Sequence, residues 1–83
     1  MVRIYSIPEC PYCNDLKSIL DSKSIQYADV NVNADENEAE FKKLFSVTKC
    51  DDVPMVKIGK QIFIPNVSFR SINELVELIE HFS

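Results

Sequence analysis

Apolar positions along the chain change their spacing several times, and each change predicts an element. Residues 2–7, VRIYSI, are rich in β-branched and aromatic side chains and predict a first strand that Pro8 ends. From Pro11 to Lys23 the apolar positions Cys13, Leu16, Ile19 and Leu20 recur at three- and four-residue intervals, as one face of a helix does. Pro11 suits the first helical position, where its missing N–H would be unpaired anyway. IQYADVNV (25–32) predicts a second strand. NADENEAEFKKLFSV (33–47) predicts a second helix, with Asn33 or Asp35 as its cap and acids in its first turns. Lys42 and Lys43 lie toward its end, as the macrodipole favours, and Phe41, Leu44 and Phe45 form its inward stripe. After the polar connector TKCDD, the runs VPMVKI (53–58) and QIFI (61–64) flank Gly59-Lys60 as a hairpin. SINE (71–74) has the spacing of a capping box, with Ser71 as cap, and opens a last helix carrying Ile72, Leu75, Val76, Leu78, Ile79 and Phe82. Phe63 and Phe69 are assigned to the core with Phe45.

The predicted order is β-α-β-α-β-β-α over a single domain, residues 1–83, without linker or repeat. A strand–helix–strand unit closes as a right-handed parallel crossover. The hairpin adds two antiparallel strands, giving a mixed four-stranded sheet with helices on both faces, an α/β layer structure.

Charge narrows the function classes. The formal net charge is -4 and no Lys/Arg block exists, so the chain offers nucleic acid little electrostatic attraction. No apolar run approaches the ~20 residues of a membrane helix. The first residues lack the apolar segment of a secretory signal, so the expectation is a cytoplasmic protein.

Three cysteines are an odd count, which argues against a secreted disulfide scaffold. Two of them, Cys10 and Cys13, straddle the hand-over from the first strand to the first helix. Backbone N–H groups and the helix dipole favour an anion there, and the thiolate is the attacking species in disulfide exchange. Cys10 is therefore expected to be exposed and biased toward its thiolate, with Cys13 one turn in and facing the core. That asymmetry suits Cys10 as attacking thiol and Cys13 as resolving thiol. A zinc site would need further ligands, and only the isolated Cys50 and His81 are on offer. A purely structural disulfide across one helical turn closes too small a loop to constrain the unfolded chain much. Cys50 is assigned as an incidental small side chain and His81 to a solvated final turn. Pro54 belongs at a strand start, since it cannot donate to a ladder. Trans is the common state of such a bond, yet a cis Val53–Pro54 bond would turn the backbone of Val53 outward toward an extended peptide, and the context favours cis.

CPYC at 10–13, DVP at 52–54 and the element order together resemble the glutaredoxin family over essentially the whole chain. The resemblance implies a thioredoxin-like fold and reduction of protein disulfides and glutathione mixed disulfides, with glutathione as co-substrate and no tightly bound cofactor or metal. It implies a monomer whose partners are disulfide-containing proteins, ribonucleotide reductase being a common family client. Tyr12 would line the glutathione groove, and Val53 would pair its backbone with the glutathione cysteine beside cis-Pro54.

The chain departs from the family pattern at several points. The usual lysine three residues before the first cysteine is Ile7, Glu9 adds a charge that opposes the thiolate, and the usual threonine before Val-Pro is Asp52. The family's Gly-Gly pair is absent, because Gly59 is the only glycine. IPNVS (64–68) is extra, and Arg70 and Ser71 fall where the glycines would be. Arg70 is a candidate carboxylate clamp, since its guanidinium fork suits carboxylates; the alternative is a solvated loop cation. Lys49 is another candidate cation. Ser71 is first a helix cap, with neighbouring N–H groups able to face a carboxylate. The missing lysine and glycine pair keep a second function open, a redoxin fed by thioredoxin reductase. A third, an iron–sulfur dimer held by Cys10 and glutathione, is typical of relatives with a single active cysteine, and Cys13 and Pro11 argue against it.

Overall fold

The computed structural model describes residues 2–83. Its elements run β1 (Val2–Ser6), α1 (Pro11–Ser22), β2 (Tyr27–Asn31), α2 (Glu38–Thr48), β3 (Met55–Ile58), β4 (Gln61–Phe63) and α3 (Ile72–Phe82). The sheet order is β2-β1-β3-β4. β1 pairs parallel with β2 and antiparallel with β3, and β3 pairs antiparallel with β4. Gly59, at φ +59°, makes the tight hairpin turn in a backbone region that side-chain-bearing residues disfavour.

Strand alternation sorts the side chains onto two faces. Val2, Ile4, Val56, Ile58 and Phe63 pack with Leu16 and Leu20 of α1, Leu75, Val76 and Ile79 of α3, and Phe69. Tyr5, Val30 and Met55 pack on the other face with Leu44 of α2, flanked by Phe41 and Cys50. Polar groups also cross that second face. The Arg3 guanidinium makes a forked contact with Glu40, at 2.8–3.0 Å, and the Tyr5 hydroxyl donates to the same carboxylate at 2.6 Å.

The expected elements are all present, with three differences. The first helix stops at Ser22 and the second strand starts at Tyr27, because Ser24 (φ 58°) takes the left-handed conformation. Ser24 N–H then donates to Asp21 and Ile25 N–H to Leu20, a Schellman cap made without glycine. The second helix begins at Glu38 after a short 3-10 turn over Asp35–Asn37, and its expected caps Asn33 and Asp35 lie outside it. Asn31 and Asn37 explain the delay. Asn31 Oδ1 accepts from Asn33 N–H, and Asn37 Nδ2 donates to the Asn31 carbonyl. Such local bonds compete with helix formation.

Phe45 corrects the third expectation: it is 42% exposed and not part of the core. The row that faces the sheet carries Glu40, Phe41, Leu44 and Thr48. At about 100° per residue, Phe45 points roughly 90° away from the centre of that row. Lys42 likewise serves a local partner, Glu38, at 2.7 Å, and no basic residue occupies the last turn of α2.

Candidate active site

β1 delivers the chain to the cysteines. After Ser6 a turn over Ile7–Glu9 closes with a bond from Cys10 N–H to the Ile7 carbonyl at 3.3 Å. Cys10 is the cap residue of α1, in extended backbone, and Pro11 opens the helix. The Cys10 sulfur accepts a hydrogen bond from Cys13 N–H at 3.1 Å. The open end of the helix therefore aims a donor at the sulfur that the sequence assigns as the attacking one. The two sulfurs are bridged, with Cα atoms 5.2 Å apart. Cys13 is fully buried and faces the core, as expected. Cys10, expected to be exposed, is only 7% exposed. The expectation is corrected for this bridged form, in which the Cys10 sulfur is bonded to that of buried Cys13.

A groove of about 370 Å³ gathers the residues singled out by sequence: Tyr12, Val53, Pro54, Arg70 and Ser71, together with Asp52, Phe69 and Ile72. Tyr12 stands out at 66% exposure on the first turn of α1. The Val53–Pro54 bond is cis, matching the expectation. Ser71 caps α3 by accepting from Glu74 N–H at 3.1 Å. The reciprocal half of the box is displaced by one residue: the Glu74 carboxylate accepts from Arg70 N–H at 3.0 Å rather than from Ser71. Lys49, the other candidate cation, adopts the left-handed conformation at the end of α2 and does not line this groove. Cys50 packs at the edge of the α2-side core. Among the described residues, no three His, Cys, Asp or Glu side chains come together as a metal site.

The loop between β4 and α3 is built by local bonds. Ile64 N–H donates to Ser68 Oγ, Ser68 N–H to the Ile64 carbonyl, and Asn66 N–H to the Phe69 carbonyl, with Asn66 left-handed at φ 65°. Buried Phe69 then anchors the loop to the core and sets Arg70 on the rim. Two features of this site escaped sequence reasoning. Asp52 was noted only as a departure, and nothing local indicated that it would share a groove with Arg70. A chain of polar contacts between β1, β2 and α1 was also missed: Ser6 Oγ, buried at the end of β1, donates to Asp29, which pairs with Lys17 of α1 at 3.0 Å. Its only signal was a serine in an otherwise apolar strand end.

Comparison with known proteins follows the same lines as this geometry. A family model described as Glutaredoxin matches residues 2–64. A glutaredoxin-like 8.6 kDa protein in the rubredoxin operon of Clostridium pasteurianum, described as uncharacterized, is 38% identical over 77 residues, covering 93% of this chain and 99% of that protein. Among solved structures, the buckwheat glutaredoxin–glutathione complex superposes with a TM-score of 0.70 at 20% identity, over 96% of this chain and 68% of that one. The NrdH-redoxin of Escherichia coli, a glutaredoxin-like protein described as having a thioredoxin-like activity profile, superposes at 0.63 and 19% identity, over 89% and 92%. At these identities the two structures speak for the shared thioredoxin-like fold. A cysteine pair at the mouth of the first helix, on this fold, with that sequence relationship over most of its length, makes this chain a member of the glutaredoxin family and a glutaredoxin-like thiol redox protein.

Proposed function

We infer that this protein reduces protein disulfides and glutathione mixed disulfides, with glutathione as its electron source. Cys10 thiolate attacks one sulfur of the substrate disulfide and forms a mixed disulfide; the other substrate sulfur leaves as a thiolate and takes up a proton. Cys13 then attacks the Cys10 sulfur and expels the second substrate thiol, leaving the bridged form seen here. One glutathione thiolate opens that bridge at Cys10 and a second removes the first, so two glutathiones are oxidised for each disulfide reduced. With a glutathionylated substrate Cys10 suffices alone, because the mixed disulfide it forms is already the one that glutathione resolves.

The observation that carries this reading is the groove whose lining includes Tyr12, the residue next to Cys13 in the cysteine motif. Tyr12 offers an aromatic wall, Val53 a backbone segment outside the sheet joined to Pro54 by a cis bond, and Arg70 a cation that is in no ion pair among the described residues. A tripeptide thiol with carboxylates at its ends matches such a lining. The test is NADPH oxidation with a small disulfide, coupled either through glutathione and glutathione reductase or through thioredoxin reductase. Turnover with glutathione supports the reading, and turnover with thioredoxin reductase alone defeats it.

One observation favours that second reading, a redoxin reduced by thioredoxin reductase. The Glu74 carboxylate already holds Arg70 N–H at the entry to α3, so one backbone donor that would otherwise meet a ligand carboxylate is occupied. Ile7 supplies no cation to compensate. Disulfide-containing proteins are substrates under either reading, and ribonucleotide reductase is a client to include in the assay.

A further inference from the structure

Asp52 and Arg70 line one groove with opposite charges, yet neither is in an ion pair among the described residues. Both residues are exposed. Asp52 directly precedes the Val53–Pro54 segment that leads into β3. Arg70 sits between buried Phe69 and the Ser71 cap, with its N–H bonded to Glu74. The rest of the shared wall, Tyr12, Val53 and Pro54, carries no formal charge. Unpaired charges of opposite sign lining one groove are complementary to a ligand that brings both signs, a cation for the carboxylate and an anion for the guanidinium. A singly charged ligand would satisfy one and leave the other in water.

We propose that Asp52 is a specificity-determining residue, and that with Arg70 it selects thiols bearing a zwitterionic amino acid end: Asp52 takes the ammonium and Arg70 the carboxylate. The inference rests on the glutathione reading and deepens it. The family's usual threonine at this position carries no charge, so a carboxylate at this point of the groove is a feature of this chain. Asp15 lines an adjoining hollow that also borders Arg70, and it lies outside the groove that holds Asp52.

The experiment uses pre-reduced full-length protein and one cysteine peptide carried as three mixed disulfides, with glutathione, with N-acetylglutathione and with 2-mercaptoethanol. N-acetylation removes the ammonium and keeps both carboxylates. The readout is the second-order rate of peptide release. Wild type should prefer glutathione over N-acetylglutathione by about fivefold, the upper end for a solvent-exposed ion pair. Asp52→Asn should bring the ratio to about one, and Asp52→Glu should retain most of it. A preference that survives Asp52→Asn overturns the proposal, as does an Asp52→Asn variant faster with both glutathione forms, which would mean that Asp52 repels carboxylates. Failure of the parent reading looks different: wild type would release peptide from the two glutathione forms no faster than from the 2-mercaptoethanol form, while thioredoxin reductase sustained turnover. That result would remove the inference together with the reading.

Discussion

Replacing Glu40 by alanine is expected to destabilise the fold by about 2 kcal/mol at neutral pH, through two separable parts. The first is the Tyr5 hydroxyl. Tyr5 is buried and its O–H donates to Glu40 at 2.6 Å, so removing the acceptor leaves a donor in poor surroundings, worth about 1–3 kcal/mol. The second is the Arg3–Glu40 pair. Both side chains are more than a third exposed, so solvent screening limits that part to about 0.2–1 kcal/mol despite the forked geometry. Tyr5→Phe removes the donor and should itself cost about 1 kcal/mol. In that background Glu40→Ala should cost only the pair's share, under about 1 kcal/mol. The pH dependence follows from the same contacts. The Tyr5 hydroxyl, and then the Arg3 guanidinium, hold the Glu40 carboxyl below the usual carboxylate range, against an opposing effect of burial. A group lowered on folding contributes fully above its unfolded value, about 4.3, and the contribution fades as pH falls through the folded value. Urea denaturation of the four proteins of the cycle, followed by circular dichroism at pH 7 and pH 3, measures all of this. An equal cost of Glu40→Ala with and without the Tyr5 hydroxyl, or a cost undiminished at pH 3, would refute the reasoning.

Other outcomes are expected from the same structure. Cys10→Ser should abolish every reductase activity, whereas Cys13→Ser should lose reduction of protein disulfides and keep turnover of glutathione mixed disulfides; coupled assays with both substrates check this, and the opposite pattern would exchange the roles. Ser71→Ala removes the cap of α3 and should cost about 1 kcal/mol in urea denaturation. Gly59→Ala forces a side chain into the left-handed hairpin turn, where its added carbon meets no neighbour, so a loss of about 1 kcal/mol would reflect backbone strain alone. Leu44→Ala should cost about 2–4 kcal/mol, whereas Phe45→Ala should cost well under that, and equal losses would return Phe45 to the core.

The elements and the redox pair were legible in the sequence because they depend on short-range pattern. Strand alternation, helical spacing and a proline at the first helical position act within one turn or one strand. They are enough to place Cys10 at a helix mouth and Cys13 facing inward. The ends of elements were less legible where a residue works outside its usual preference. Ser24 closes α1 in a conformation that glycine usually supplies, and asparagines at 31 and 37 hold the chain back from helix until Glu38.

By itself, then, the sequence determined the order of elements, their two-sided burial, and the chemistry at positions 10–13. Only the tertiary structure decided which distant residues meet. It turned Phe45 outward and set Glu40 against Arg3 and Tyr5, because the angle at which α2 lies on the sheet selects its buried row. It also brought Asp52 and Arg70, from two separate connections, to one groove that Tyr12 of the cysteine motif lines. That meeting depends on Phe69 being buried and on how the loop after β4 folds on itself, and both are long-range packing outcomes that no local periodicity encodes.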